Sequence, residues 1–291
     1  GVGTEAEGYL LGLLVGDGVL KSDKAVISVW APELKLVGNG AVAYAQTGAS
    51  GIVQAAQAAA ATLAHRVDFR GFQRPIKGKG EARMVSGAVR RLAHEMGMSP
   101  GHKTLTPAME KASSAFAAGL LRGLFDADGS VQGTQENGVN VRLSQSDLPL
   151  LQTAQRMLLR LGITSAIHQN RRLAQERLLP DGRGGLKLYQ TQAQHELIIS
   201  GDNLRIYAEC IGFADTAKAE RLAQALGSYQ RSLNRERFTA TVESLNEEGI
   251  EEVFDVTVAD VHAFDANGLY VHNCGEQPLP PYGCCDLGPI I

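Results

Sequence analysis

The sequence predicts an α+β fold in which two related halves are followed by a few β-strands and a short unstructured tail. Three observations lead to this prediction. An apolar segment of eleven residues occurs twice, strand-like and helix-like stretches follow each copy, and the C-terminal region alternates apolar residues before a Pro/Gly/Cys-rich end. We expect the related halves at about residues 5–100 and 101–226 within a domain of residues 1–228. The final strands would occupy residues 229–273, and the tail residues 274–291.

The repeated segment predicts two apolar helices that pack closely together. Residues 8–18 (GYLLGLLVGDG) match residues 119–129 (GLLRGLFDADG), 111 positions later. Each copy carries small residues four positions apart, which let two helix backbones approach each other. Each copy also ends in Asp followed by Gly, and Gly suits a helix C-cap. The small residues are Gly12 and Gly16 in the first copy, and Gly123 and Ala127 in the second.

The acidic residue that ends each copy is placed unfavourably for an ordinary helix. Asp17 and Asp128 would lie at helix C-termini, where the helix dipole disfavours a negative charge by ~0.3–1 kcal/mol. Two such carboxylates brought together would also repel each other, so a divalent cation between them is a natural partner. The alternative is two unrelated helices that end in common Asp-Gly turns, but it does not explain the similarity of the two segments.

Further helices and strands are expected after each copy. Residues 147–162 have the pattern of an amphipathic helix with an N-cap Asp147 and a closing Gly162. Residues 38–62 are rich in Ala, Gly and Gln, and predict a weakly specified helix or loop. In the first half the remaining expected elements are strands at Ala25–Trp30 and 66–72 and a helix at 86–96; in the second half they are strands at 138–143, 186–189 and 196–200 and a helix at 203–211.

The charge of the chain is divided unevenly along its length. The net charge is −3, yet residues 238–291 contain ten acidic residues and no Lys or Arg. The first 237 residues therefore hold 28 basic against 21 acidic side chains, a net charge of +7, which favours a partner with a phosphate backbone. The alternative interpretation is that these basic clusters only form a solvent-exposed face, as runs of charged residues usually do. The candidate DNA-contacting residues are Arg70, Arg74, Lys77, Lys79, Arg83, Arg171, Arg172, Arg183 and Lys187.

The two repeated segments and the elements after them resemble the LAGLIDADG family of homing endonucleases over roughly residues 5–226. The resemblance implies two αββαββα halves around a pseudo-twofold axis, with two saddle-shaped sheets that lie on double-stranded DNA. It also implies that Asp17 and Asp128 each hold Mg²⁺ beside one scissile phosphate, whereas Asp126 would cap or pack. The first copy departs from the family pattern at Val15 and Gly16, but it keeps the metal-binding acid.

Lys103 is a further candidate catalytic residue. It lies where the family places a basic residue before the second motif helix, and it would stabilise charge on the phosphate or adjust the pKa of the attacking water. A surface lysine before a helix that begins at Pro107 is the alternative interpretation.

The junction of Asn273 with Cys274 predicts backbone chemistry. The Asn amide can attack its own main-chain carbonyl, close a succinimide and release Cys274, a thiol nucleophile. The alternative interpretation of this junction, which involves no chemistry, is the end of a strand followed by a turn. Residues 253–274 resemble the C-terminal splicing region of inteins, in which a Phe-Asp-x-x-Val strand and a later His precede a terminal His-Asn. That resemblance assigns assisting roles to Asp255 and His262, and cleavage to His272 and Asn273.

The resemblance to inteins covers only their C-terminal part. Splicing needs a nucleophile at the first residue of the intein and a Thr-x-x-His motif upstream of the endonuclease. The chain opens at Gly1, which is not a nucleophile. Its segment Thr62-Leu63-Ala64-His65 has the pattern of that motif but falls between the two nuclease motifs, so we do not assign it this role. We therefore expect the C-terminal part of an interrupted precursor, whose partners are the missing N-terminal intein half and the host protein segments.

The tail indicates a host protein. Residues 274–288 resemble the active-site segment of ribonucleotide reductase large subunits, especially the adenosylcobalamin-dependent class. The resemblance implies a radical role for Cys274 and a catalytic carboxylate at Glu276, both only after splicing, with adenosylcobalamin needed only by the intact host enzyme. A Pro-rich linker with incidental cysteines is the alternative.

Taken together, these patterns predict an intein-borne, Mg²⁺-dependent DNA endonuclease fused to splicing strands and a host stub. The alternatives are a DNA- or RNA-binding module that keeps the fold without cutting, and a fragment of a reductase alone. Three of the four cysteines fall in the last eighteen residues, which is not a disulfide framework. No apolar run reaches the roughly 18 residues of a membrane span, so we expect no membrane partner and a cytoplasmic location.

Overall fold

The structure, a computed structural model, describes most of the first 227 residues and short segments beyond them. For residues 36–37, 41–42, 177, 179–180, 263–266 and 269–272 it describes the backbone alone. The described residues are 1–30, 36–37, 41–42, 48–73, 81–134, 138–180, 185–227, 244, 246–247, 249–250, 263–266 and 269–272.

The chain divides into two compact units. One is Gly1–Phe238 and the other is Thr239–Ile291. In the second unit the described backbone forms two short strands, which are antiparallel and place Ala263 opposite His272. The domain boundaries expected from the sequence at residues 228 and 273 stay predictions. The two strands are β13 (Ala263–Ala266) and β14 (Leu269–His272).

Each half of the larger unit follows the αββαββα order, interrupted by one additional two-stranded hairpin. The first half contains α1 (Glu5–Asp17), β1 (Gly18–Leu20), β2 (Ala25–Trp30), β3 (Leu36–Val37), β4 (Ala41–Val42), α2 (Ala49–Ala61), β5 (Phe72–Gln73), β6 (Glu81–Ser86) and α3 (Gly87–Glu95). The second contains α4 (Pro107–Glu110), α5 (Ser114–Asp128), β7 (Gly129–Thr134), β8 (Gly138–Gln145), α6 (Leu148–Arg160), β9 (Ala166–Arg172), β10 (Gln175–Pro180), β11 (Leu186–Thr191), β12 (Gln194–Ser200), α7 (Asn203–Cys210) and α8 (Thr216–Gly227).

Each half contains one four-stranded antiparallel sheet, and the two sheets have the same topology. The strand orders are β1-β2-β6-β5 and β7-β8-β12-β9. The registers also correspond, because Gly18 pairs with Ile27 in the first sheet and Gly129 pairs with Leu143 in the second. Any position of one sheet can therefore be assigned its equivalent in the other. Each half also has one separate hairpin, which is β3-β4 in the first half and β10-β11, between β9 and β12, in the second.

Helices α1 and α5 form the centre of the unit. A Cβ added at Gly12 would overlap the backbone oxygen of Leu120, and one added at Gly123 would overlap that of Tyr9. Small residues are thus required where the helix backbones touch, as the sequence predicts. Thr4 begins α1 with a capping box, in which its side chain accepts from the Glu7 amide and the Glu7 carboxylate accepts from the Thr4 amide.

The core lies between this helix pair and the inner faces of both sheets. Alternate residues of β8 point inward and are buried, including Val141 and Leu143, while their neighbours are partly exposed. This period-2 pattern leaves one face of each sheet free to meet a partner. Phe116 and Phe125 of α5 are fully buried in this core, and the Phe125 ring packs edge-on against the Tyr207 ring.

Some predicted elements differ from the structure. The predicted strand at 66–72 is wrong for most of its length: Phe72–Gln73 alone is strand, because the Phe69 amide closes a turn onto Arg66 and Gly71 has a φ of 63°. Strand β6 was not predicted, because its alternating buried and exposed residues lie in a segment that is rich in basic residues. The weakly specified segment contains a regular helix, α2, which buries Ile52 and several alanines.

Candidate active site

The two motif aspartates lie at the same end of the central helix pair. Residues later in α1 contact residues later in α5, since Gly8 lies against Phe116 and Gly16 lies against Ala127 and Asp128. The helices therefore run in the same direction and their C-termini meet. A Cβ added at Gly16 would be 3.2 Å from Oδ2 of Asp128. Asp17 ends α1 at this same point, so the predicted pair is brought together.

Both carboxylates are held in surroundings that disfavour their charge. Burial raises the pKa of Asp17 above its ordinary value. Burial also raises the pKa of Asp128, and the negative charge of Asp17 raises it further. The helix C-termini add an unfavourable dipole. A cation is the group that would relieve all three effects at once.

Lys103 lies beside this acidic pair. Its Nζ donates to the backbone oxygens of Gly16 and Gly18 at 2.9 and 2.8 Å, and the side chain is partly buried. Burial lowers the pKa of Lys103, and the charges of Asp128 and Asp17 act against that effect. The lysine is therefore packed against the end of the first motif and is not a free surface group.

A second lysine, which the sequence analysis missed, occupies the matching position in the other half. Lys218 Nζ donates to the backbone oxygens of Phe125 and Asp126 at 3.1 and 2.5 Å. Burial lowers the pKa of Lys218, opposed by nearby carboxylates that include Asp128 and Asp17. The signal was present in the sequence, because Lys103 and Lys218 each lie eight residues after the end of a helix, which is α3 in the first half and α7 in the second.

The two aspartates differ in one neighbour. Gln145, at the end of β8, donates from Nε2 to Oδ2 of Asp128 at 2.6 Å. The register makes Val29 the equivalent of Gln145 in the first sheet. A valine cannot donate a hydrogen bond, so the surroundings of Asp17 and Asp128 are chemically unequal. A Gln at the end of the second strand after a motif was the signal that could have identified this residue.

Asp126 packs inside the protein, as the sequence predicts for this motif position. It is 2 % exposed and accepts from the Tyr9 hydroxyl at 2.9 Å. It also accepts from the backbone amides of Ala214 and Asp215. These two residues immediately precede α8, which carries Lys218. Asp126 therefore connects the central helices to the segment that positions the second lysine.

A cavity of about 470 Å³ opens beside Asp17. Its wall includes Trp30 and Asp215 as well as Lys218. Within the described part of the chain, no group of three or more His, Cys, Asp or Glu side chains is arranged to hold a metal ion.

The predicted DNA-contacting residues that the structure describes lie on or beside the sheets. Arg83 is on β6 and pairs with Glu81 at 2.7 Å. Arg171 and Arg172 are exposed on β9, and Lys187 lies over the Tyr189 ring on β11. Arg70 is exposed and lines a separate cavity of about 390 Å³. The other predicted contacts, Arg74, Lys77, Lys79 and Arg183, lie outside the described residues.

The predicted splicing residues lie almost entirely outside the described part of the chain. The backbone of His272 is described as the last residue of β14. Asp255, His262, Asn273, Cys274 and Glu276 lie outside the described residues.

Curated relatives resemble this chain over about three fifths of its length. The ribonucleoside-diphosphate reductase NrdEB subunit alpha of Bacillus subtilis is 33% identical over 187 residues, which are 62% of this chain and 17% of that protein. A DNA polymerase of Thermococcus litoralis is 30% identical over 193 residues, which are 61% of this chain and 10% of that protein. The chain thus spans less than a fifth of the length of either relative.

Among solved structures, a variant of the homing endonuclease I-DmoI aligns with 71% of this chain and 95% of its own, at 17% identity and a TM-score of 0.42. In the part of the chain that the structure describes, no helix is both long and apolar enough to cross a membrane. A family of known domains, described as LAGLIDADG-like, matches residues 115–212, the span from the second motif helix to the end of α7. The second half of the larger unit therefore resembles a LAGLIDADG-like domain.

Proposed function

We propose that this chain is an intein-borne homing endonuclease that cuts both strands of a specific DNA site with the help of Mg²⁺. The observation that supports the proposal most strongly is the meeting of Asp17 and Asp128 at one end of the helix pair, with Lys103 and Lys218 beside them. The two symmetric sheets that begin at these aspartates offer a surface for the DNA.

The residues present suit a divalent cation at each aspartate. Asp17 and Asp128 would hold the ions, because a carboxylate whose pKa is raised by burial gains most from a nearby positive charge. When bound, Mg²⁺ supplies a water of lowered pKa and neutralises charge on the phosphate. Gln145 would fix the orientation of the Asp128 carboxylate through its hydrogen bond.

The two lysines would act on the phosphate. Each ammonium group now donates to backbone oxygens at the end of a motif helix, so each is held in place beside an aspartate. With DNA present, Lys103 and Lys218 can each donate one further hydrogen bond to a phosphate oxygen, since an ammonium group has three N–H donors. Charge that builds on the scissile phosphate would be stabilised there.

The relatives support the view that this is an inserted element. Similar segments of this chain match a reductase and a DNA polymerase, which are enzymes of different chemistry, and they form a small fraction of each. A mobile unit carried by both proteins accounts for that pattern better than a shared catalytic body. It also weakens the alternative that the chain is only a reductase fragment.

The splicing role rests on the order of residues near the C-terminus. Asp255 and His262 would assist, His272 and Asn273 would cleave, and Cys274 would be the first host residue. Splicing would also require the N-terminal intein half and the host segments as partners. If the host is an adenosylcobalamin-dependent reductase, Cys274 and Glu276 would serve its active site after splicing, and adenosylcobalamin would bind only the intact host.

A second candidate function is DNA or RNA binding without cleavage. The observation that favours it is the inequality of the two centres, because Val29 replaces the amide that Gln145 provides at Asp128. A centre weakened in this way would leave a protein that binds its site and cuts slowly or not at all.

A plasmid that carries an uninterrupted reductase gene separates the two candidates. With Mg²⁺ the endonuclease proposal predicts linear product, and Asp17→Asn or Asp128→Asn should lower its rate by about 100-fold or more while DNA binding persists. Tight, specific binding by the wild-type protein without any cut would support the binding module instead.

The splicing residues call for a separate measurement. Slow cleavage at Asn273 in this chain should release a fragment whose mass corresponds to residues 1–273, and Asn273→Ala should abolish it. Incubation followed by intact mass spectrometry tests this. The same low level of fragment from both proteins would refute the role of Asn273.

A further inference from the structure

The outer faces of the two sheets present different chemistry at equivalent positions. Directly opposed residues in antiparallel strands lie on the same face. In the first sheet Val19 opposes Val26, and Val26 opposes Val85 on the next strand. These three residues, here termed the valine strip, form a continuous apolar row across β1, β2 and β6.

The valine strip is open to solvent. Val19 is 49% exposed and Val85 is 48% exposed, while Val26 between them is half-buried. Isolated exposed apolar residues are ordinary, but three at directly neighbouring positions of one sheet face form an apolar surface that an apolar group can contact. In the neighbouring row on the same face Ser28 is buried, whereas Arg83 is about half exposed and pairs with Glu81, so a basic side chain lies beside the strip.

The equivalent row of the second sheet is largely polar. The matching registers pair Ser130 with Arg142 and Arg142 with Ile198, in the positions of Val19, Val26 and Val85. The fold therefore does not require an apolar row at this place. Packing of the core therefore does not explain why valines occupy these three positions on the outer face of the first sheet.

The valine strip begins two residues after Asp17. Chain continuity places Val19 within roughly 7 Å of the backbone of that residue, given the rise of an extended chain. DNA held with a phosphate at Asp17 would therefore bring base edges near the strip. The row spans three strands, about 10 Å across, which fits the major groove of about 12 Å.

We propose that the valine strip reads thymine 5-methyl groups in the major groove of the half-site beneath the first sheet. The 5-methyl of thymine is the one apolar group that a base edge presents there, and apolar side chains recognise it. The second sheet would read its half-site through the hydrogen-bonding groups of Arg142 and its neighbours. This inference rests on the proposed DNA-binding function and adds the chemistry of its specificity.

The experiment begins with selection of a bound sequence from a randomised duplex library. Calcium in place of magnesium would keep the selected DNA uncut. Thymidines of the selected site are then replaced by deoxyuridine, one half-site at a time, which removes only the methyl groups. We expect binding to weaken about fourfold for each contacted methyl, as the transfer of one methylene-sized group implies, and only in one half-site.

Protein variants identify the residues that read the methyl groups. Val19→Ser or Val85→Ser removes both valine methyl groups at a strand position that is about half exposed, so neither should disturb folding, and thermal unfolding would verify that. Either variant should reduce the uracil effect toward onefold. Ile198→Ser, the matched change in the second sheet, should leave that effect unchanged.

The outcomes separate this inference from the proposed function. If no sequence is enriched, the DNA-binding proposal itself fails. If a site is enriched but contains no thymine under the strip, or uracil weakens both half-sites equally, only the methyl-reading inference fails. An undiminished uracil effect in both valine variants would overturn it as well.

Discussion

Asp126 shows how a single buried carboxylate connects distant parts of the chain. It receives hydrogen bonds from the Tyr9 hydroxyl and from two backbone amides that precede α8. Removal of the Asp126 carboxylate would leave these buried donors without an acceptor, which costs about 1–3 kcal/mol. The sequence indicates that this residue packs, but not what it contacts, because Ala214 and Asp215 are nearly ninety residues away along the chain.

Asp126→Ala should therefore lower the free energy of unfolding by about 1–3 kcal/mol. Tyr9→Phe removes one of the same hydrogen bonds and should cost less, about 1 kcal/mol. Urea unfolding of both variants measures the difference. A Tyr9→Phe variant that is less stable than Asp126→Ala would contradict the role assigned to the carboxylate.

Asp128 should reduce stability in the metal-free protein while it supports cleavage. Because burial and Asp17 raise its pKa, the folded protein holds its proton more tightly than the unfolded chain does. Asp128 therefore lowers the free energy of unfolding most at a pH above its raised pKa. This destabilisation diminishes as the pH falls from the raised pKa toward the pKa of the unfolded chain, about 3.9.

Asp128→Asn should accordingly raise the melting temperature in EDTA at neutral pH, with the helix dipole alone contributing ~0.3–1 kcal/mol. The gain over wild type should shrink as the pH falls through the raised pKa. Mg²⁺ should stabilise the wild type more than the variant. Calorimetry across pH, with and without Mg²⁺, tests this, and a variant less stable than wild type at every pH would contradict it.

At the scale of helices and strands, the sequence was most informative where a physical constraint leaves few choices. Gly12 and Gly123 identified the contact between α1 and α5, since any side chain there would overlap a backbone oxygen. Strand β6 was harder to predict because Arg83 and its basic neighbours obscure an alternating pattern. Residues 66–71 are not a strand, because the chain turns between Arg66 and Phe69 and Gly71 adopts a left-handed conformation, which the pattern of apolar residues did not reveal.

Gly12→Ala should destabilise the protein by about 3 kcal/mol or more, because the new Cβ has no space beside the Leu120 carbonyl. Gly87→Ala is the matched control. It lies at the start of α3 with nothing within 4 Å of an added Cβ, so it should leave stability unchanged or raise it by up to about 1 kcal/mol. Thermal unfolding compares them, and equal effects would contradict the packing described for the helix pair.

At the scale of the whole molecule, charge and symmetry support a DNA-binding surface. The sequence indicated the basic clusters and the two halves. It predicted a strand at 186–189, which is part of β11, but it did not show the hairpin β10-β11 that contains this strand, or that the outer faces of the two sheets differ. Those features depend on strand register, which pairs residues such as Val26 and Val85 that are far apart along the chain.

Arg172→Gln should weaken DNA binding and reduce the slope of log binding constant against log salt by about 1 if the residue contacts a phosphate. Arg156→Gln is the control, because Arg156 lies on α6 and pairs with Glu110. Its slope should equal that of the wild type. Titrations at several salt concentrations provide the measurement, and identical slopes for all three proteins would exclude a phosphate contact at Arg172.

We propose above that Asp17 and Asp128 cut both DNA strands. Single-turnover cleavage of a duplex with a different label on each strand measures this, in Mg²⁺ with the wild type, Asp17→Asn and Asp128→Asn. We expect two cuts by the wild type and a loss of about 100-fold or more on at least one strand for each variant, with DNA binding retained. Wild-type rates on both strands in either variant would contradict it.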